Sequence, residues 1–188
     1  MKITCILGSP RKKGNSATIA ARFISTAERF GAESETFVLN ELNFRGCQEC
    51  MACKERLDVC AVKDDLTRVF ESMRTADLIV VATPVFSGYA SGQFKCFMDR
   101  CYSFLAPDYR TNPQPSRLPP GKKAVVVTTQ GNPDPSLFDD LVDRLQMWVK
   151  RNWRLEEVRA IKGYGLGPES NLEPFLRQAE DLAGSMCR

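Results

Sequence analysis

Histidine is absent from all 188 residues. No imidazole can therefore ligate a metal, act as a general base or shuttle protons near neutral pH. A soft-metal site in this chain has to be made of thiolates. Long apolar runs are lacking too. The longest, such as "DLIVVATPVF" at residues 77–86, covers about half of a bilayer span, so no membrane partner is expected. A large excess of one charge sign is lacking: a formal net charge of +3 makes no demand for nucleic acid or an anionic surface. No internal repeat or low-complexity tract interrupts the sequence. The opening "MKITCILGSP" carries no secretory signal pattern, which leads us to expect a cytoplasmic location where thiols stay reduced.

What is present reads as a single globular domain over residues 1–188, with 43% apolar and 26% charged residues. Short β-branched runs alternate with helical patterns. Strands are expected at 2–8, 34–39, 77–83, where Pro84 ends the strand, 123–129 and 155–162. Helices are expected at 15–29, around the stripe Leu66, Val69, Phe70 and Met73, and at 92–105. A further helix at 136–153 turns Leu137, Leu141, Leu145, Trp148 and Val149 to one side, and the last covers 169–186. Five strands and five helices in strict alternation predict an α/β, doubly wound, five-stranded parallel sheet with helices on both faces. Two long loops punctuate it, one cysteine-rich at 46–61 and one proline-rich at 106–121.

In such sheets ligands sit beyond the carboxyl ends of the strands. The loop after the first strand is "GSPRKKGNSAT", residues 8–18, and it opens a helix. Free backbone N–H groups there, the hydroxyls of Ser9 and Ser16 and the guanidinium of Arg11 suit a phosphate. An N-capped helix after a polar turn is the plainer reading. The spacing is neither that of a Walker A loop nor that of a dinucleotide fingerprint. The third loop holds Pro84, Gly88 and Gly92, and the fourth holds Gln130 and Gly131, where close backbone approach to a flat group is possible.

"GCQECMACKERLDVC" at residues 46–60 gathers Cys47, Cys50, Cys53 and Cys60 in a Cys-x2-Cys-x2-Cys-x6-Cys pattern. An iron–sulfur cluster, a zinc ion, or no metal at all could account for it. Three thiolates at x2 spacing with a longer step to the fourth suit a cubane best. Zinc sites more often pair two separated knuckles. Cys5, Cys96 and Cys101 are expected to pack as small hydrophobes, and Cys187 to lie at a frayed end. Arg45, Lys54 and Arg56 surround the loop and could dock an acidic electron carrier or remain solvated charges.

Four stretches, "GSPRKKGNS" at 8–16, the cysteine motif, "ATPVFSG" with "FMDR" within 82–100, and "TQG" at 129–131, resemble the flavodoxin-like NAD(P)H-dependent FMN reductases. Within them the chain is most similar to the iron–sulfur flavoproteins, whose motif is Cys-x2-Cys-x2-Cys-x(4–7)-Cys. One departure is Phe86–Ser87, where relatives often carry a second aromatic residue or a tyrosine. The resemblance implies a five-stranded sheet, FMN at its carboxyl edge and assembly as homodimers or homotetramers. It implies that Ser9, Arg11, Asn15 and Ser16 hold the FMN phosphate. Pro84, Val85, Phe86, Ser87 and Gly88 would line the isoalloxazine with Thr129, Gln130 and Gly131. Cys47, Cys50, Cys53 and Cys60 would hold a [4Fe–4S] cluster.

The expected function is electron transfer through the cluster and FMN, from a carrier such as ferredoxin or from NAD(P)H, to a small acceptor such as oxygen, peroxide or a quinone. Two rivals are an NAD(P)H-dependent FMN or quinone reductase without a cluster and a non-enzymatic electron carrier of flavodoxin type. No residue reads as a nucleophile poised by a base, so no catalytic residue is assigned.

Overall fold

A computed structural model describes residues 1–187. The chain folds as β1 (Lys2–Leu7), α1 (Asn15–Arg29), β2 (Glu33–Val38), α2 (Ala52–Glu55), α3 (Leu66–Thr75), β3 (Leu78–Phe86), β4 (Tyr89–Ala90) and α4 (Gly92–Arg100). It continues through β5 (Lys122–Thr129), α5 (Asp139–Asn152), β6 (Leu155–Gly163) and α6 (Glu173–Met186). The sheet runs β2-β1-β3-β5-β6, and these five strands are all parallel. That is the flavodoxin-like doubly wound order, with β4 added as a short antiparallel strand on the end of β3.

The period-2 alternation of each strand divides its side chains between two cores. Ile3, Cys5 and Leu7 of β1, Leu78, Val80 and Ala82 of β3, and Val125 and Val127 of β5 meet α1 and α6 on one face. Ile6, Ile79, Val81, Ala124 and Val126 meet α3, α4 and α5 on the other. Central strands buried on both sides need unbroken apolar runs, and β3 and β5 carry them. The buried aromatics concentrate on the second face, where Phe70, Phe94, Phe97, Phe104 and Trp153 pack edge to face or tilted. Each fully buried ring of this kind contributes about 1.5–3 kcal/mol by leaving water.

Several expected boundaries move. Pro84 does not end its strand: β3 runs on to Phe86 and folds back through Ser87 and Gly88 into β4. The β1 ladder has already stopped at Ala82, so a residue without N–H is tolerated here. Ser87 and Gly88 both take positive φ, 50° and 80°, as a two-residue type I′ hairpin turn requires. The helix expected to reach 105 stops at Arg100 and tightens into a 3-10 turn, Cys101–Phe104, before the proline-rich loop. The helix expected from 136 begins at Asp139. Leu137 therefore lies in the preceding turn, 47% exposed, and does not join the inward stripe.

Candidate cofactor sites at the sheet edge

The strand order reverses between β1 and β3, and a cleft of about 360 Å³ opens beyond their carboxyl ends. Ser9, Arg11, Asn15, Ser16, Pro84, Val85, Phe86, Thr129, Gln130 and Gly131 all line it. Ser87 and Gly88 do not, because they form the hairpin tip described above. Lys13 and Gly14, within the loop read from the sequence but given no role of their own, and the segment Leu166, Gly167 and Pro168, which had no part in that reading, complete the lining. Among these lining residues are two cations and no carboxylate, an arrangement suited to an anion.

The start of α1 is the polar end of the cleft. Its N-cap is Gly14, which has no side chain to satisfy the free N–H groups of the first turn. Ser16 is 1% exposed, and its Oγ is buried without a hydrogen-bond partner. A buried hydroxyl left unpaired costs free energy that a bound acceptor would recover. A Cβ at position 14 would sit 2.7 Å from Ser9 Oγ and 3.2 Å from Arg11 O, so any larger residue would force the Ser9 hydroxyl out of its place. Ser9 Oγ in turn accepts from the Arg11 amide at 3.1 Å and shapes the loop. A phosphate group fits this cradle of N–H groups, hydroxyl and guanidinium. At the other end, Phe86 offers an aromatic ring 43% exposed. Gln130, also in the lining, donates from its backbone to Gly163 O at 2.9 Å and from its side chain to Asp134 O at 2.6 Å.

The four cysteines of the motif line a second, smaller pocket together with Arg100, Tyr102 and Ser103. None is paired in a disulfide. Glu49 and Met51, on either side of Cys50, take left-handed φ values of 49° and 55°. Such conformations cost a non-glycine residue about 1–3 kcal/mol each and collect where the backbone serves a site. They bend the loop so that residues spaced by three return to one hollow. Among the described residues, no group of three or more ligating side chains is arranged to hold a metal ion. The donor set nevertheless suits a thiolate-bound group, since two N–H donors already address its sulfurs. Glu49 N lies 3.4 Å from Cys47 Sγ, and Arg100 Nε lies 3.2 Å from Cys60 Sγ.

Three cations brace this loop. Arg100 is buried and paired with Asp64 at 2.7 Å. Arg117 donates to Cys53 O at 2.9 Å and Ser103 O at 3.0 Å. Lys54 donates to Tyr102 O and Leu105 O, both at 2.7 Å, and rests on the Tyr102 ring. Burial pulls the Lys54 ammonium below its ordinary range. Lys54 is thus a tether of the loop and not a free docking charge, whereas Arg45 and Arg56 are exposed. The proline-rich loop supplies Arg117, and its Tyr109 stacks edge-on against Tyr102. Sequence reading missed Arg100, whose only signal was its place in "FMDR".

The remaining cysteines divide. Cys5 and Cys101 are buried, and burial pushes the Cys5 thiol up to about 12 and the Cys101 thiol well above its ordinary value. Cys96 is exposed instead of packed, because α4 turns it outward beside Gly46. Cys187 packs against the core of the α1–α6 face instead of fraying away.

Fold and cleft define a flavodoxin-like, FMN-reductase type of architecture, and the comparisons agree. The NADPH-dependent FMN reductase family matches over residues 1–154. An iron–sulfur flavoprotein of Methanosarcina thermophila is 39% identical over 100 residues, 53% of this chain and 52% of that protein. The match thus spans about half of that relative's length. An iron–sulfur flavoprotein of Archaeoglobus fulgidus is 30% identical over 187 residues, 100% of this chain and 79% of that protein. The chain belongs to the NADPH-dependent FMN reductase family and, within it, to the iron–sulfur flavoproteins. Among solved structures, the NAD(P)H:quinone oxidoreductase from Methanothermobacter marburgensis superposes with a TM-score of 0.76 at 16% identity, covering 100% of this chain and 98% of that one. At that identity the likeness concerns the fold alone.

Proposed function

We propose that this chain is an FMN-dependent oxidoreductase carrying a [4Fe–4S] cluster on Cys47, Cys50, Cys53 and Cys60. One observation carries the reading: all four thiols of the motif line a single pocket, already addressed by N–H donors and braced by three cations. The thiolates would close on the cluster as it assembles. FMN would lie in the sheet-edge cleft, its phosphate at the N-terminus of α1 against Ser9, Arg11, Asn15 and Ser16. Its ring would lie between Pro84–Phe86 and Thr129–Gly131. Bound together, the two groups convert single-electron supply into two-electron chemistry. The chain's own part is to hold the phosphate, exclude water from the ring with Phe86 and Leu166, and supply cations around the sulfurs. Electrons would enter from NAD(P)H or from a carrier such as ferredoxin and leave to a small acceptor. As the resemblance implies, the working form would be a homodimer or homotetramer.

The test is iron, sulfide, zinc and flavin quantified on one sample of anaerobically purified protein. About four irons and four sulfides per FMN are expected for a cubane held by four thiolates. Flavin with zinc, or with no metal, would overturn the cluster and leave an NAD(P)H-dependent FMN or quinone reductase.

A further inference from the structure

Arg100 links α4 to the cysteine loop through every donor it has. A guanidinium has five N–H donors, and all five of this one are used. Nη1 donates to Arg45 O at 2.8 Å and Asp64 Oδ2 at 2.7 Å, and Nη2 donates to Val62 O at 3.0 Å and Asp64 Oδ1 at 3.2 Å. The fifth, on Nε, points at Cys60 Sγ. Four oxygen partners on the loop at 45–64 therefore fix the plane and rotation of the group, and the residue is 2% exposed. A buried arginine needs a counter-charge and a partner for every N–H. Here the partner of the last donor is a sulfur of the four-cysteine motif and not an oxygen. The sulfur belongs to the fourth cysteine, the one reached by the longest step of the motif and the least restrained by its neighbours in sequence.

We propose that Arg100 acts on the four-cysteine centre through Cys60: its Nε–H, held on Sγ, raises the reduction potential of a cluster bound there, while the four thiolates by themselves suffice to hold that cluster. The proposal rests on the cluster reading given above. One-electron reduction adds a unit of negative charge, spread over the cluster and its thiolates. A hydrogen bond and a positive charge on one ligand sulfur favour the more negative state. The Cys47 sulfur also has a donor, but it is the backbone N–H of Glu49, at the longer distance of 3.4 Å. Lys54 also lies beside the Cys53 thiol, but two of its donors go to the Tyr102 and Leu105 carbonyls, so Arg100 is the side chain whose N–H is fixed on a ligand sulfur by its whole bonding plane.

The experiment is an anaerobic redox titration of the holoprotein, the cluster followed by its paramagnetic signal and FMN by its visible bands. Wild type is compared with Arg100→Met and with Arg100→Met/Asp64→Asn, which leaves no charge buried alone. Both variants should keep wild-type iron, sulfide and FMN. Their cluster should be at least tenfold harder to reduce, a shift of about 59 mV for one electron, while the flavin potential stays in place. An unchanged cluster potential at full iron content would overturn the proposal and leave the cluster reading standing. Loss of iron with FMN retained in the double variant would reduce Arg100 to a strut and also overturn it. Wild-type protein that takes up no iron and sulfide on reconstitution would overturn both.

Discussion

Ser91 Oγ donates a hydrogen bond to the carbonyl of Gly8, 83 residues earlier in the chain. The same hydroxyl accepts from Phe94 N at 3.3 Å and so caps α4, while the Ser91 amide donates to Thr83 Oγ1 at 3.0 Å. One fully buried serine thus ties the end of β1, the end of β3 and the start of α4 into a single unit. Two of these, β1 and β3, are the strands beyond whose ends the cleft opens, so the cleft is held by a residue that does not line it.

Ser91→Ala should destabilise the protein by about 1–3 kcal/mol, the cost of stranding buried polar partners together with a lost cap. Urea denaturation of the flavin-free protein measures it. FMN affinity should fall as well, because Gly8 and Thr83 lose their common anchor.

Ser16→Ala separates binding from folding. Its Oγ is buried with no partner within the protein, so stability without FMN should not fall and should rise by up to about 1–3 kcal/mol, the cost of an unpaired buried hydroxyl. FMN binding, followed by quenching of flavin fluorescence, should weaken about tenfold, the value of one hydrogen bond to a charged group. Equal affinity for FMN would remove Ser16 from the phosphate site. Gly14→Ala should be worse, since its Cβ collides with Ser9 Oγ.

Cys53→Ser should abolish iron and sulfide while FMN stays bound, because the cysteine pocket and the sheet-edge cleft share no lining residue. Iron and flavin assays on the same preparation decide it. Flavin lost as severely as iron would mean that the two sites are not independent.

Asp64 gives a pH dependence of definite sign. Burial pushes its carboxyl up, but the hydrogen bond and charge of Arg100, with the Arg45 and Leu66 amides, outweigh this and hold it below the usual carboxylate range. A lowered folded value contributes stability above the unfolded value, about 3.9, and loses it as pH falls through the folded one. Asp64→Asn should cost about 3 kcal/mol at neutral pH, since it leaves a buried guanidinium without its counter-charge. The gap between wild type and variant should shrink as the pH falls below about 4. Denaturation curves at neutral and acid pH would show it, and a gap that widened on acidification would contradict the assignment.

Much of this was legible without coordinates, for identifiable reasons. Strands buried on both faces must be apolar throughout, so "LIVVAT" and "AVVVTT" declared themselves. Chemistry at the carboxyl edge follows from alternation alone and pointed to Ser9, Arg11, Ser16, Gln130 and Gly131; the family resemblance added Asn15 and Thr129, and all of them line one cleft. What escaped notice depended on distance along the chain. Leu166–Pro168 enters the cleft because β6 lies beside β5, and strand order is not written in local pattern. Ser87 and Gly88 read as ring-facing residues until the hairpin turned them away. Lys54 looked like a docking charge, because a solvated lysine and one tethered to two carbonyls have the same sequence signature.

By itself the sequence determined the alternation of elements, the thiolate-only chemistry imposed by an absent histidine, and the spacing of four cysteines. These are local facts, set by residue type and by periods of two or 3.6 along the chain. Only the tertiary structure decided which hydroxyl is buried without a partner, which arginine turns its last donor onto a sulfur, and that cleft and cysteine pocket are separate places. Burial and hydrogen-bond partnership come from segments brought together across 40 residues or more, as Arg100 is to Cys60, and no local pattern encodes them.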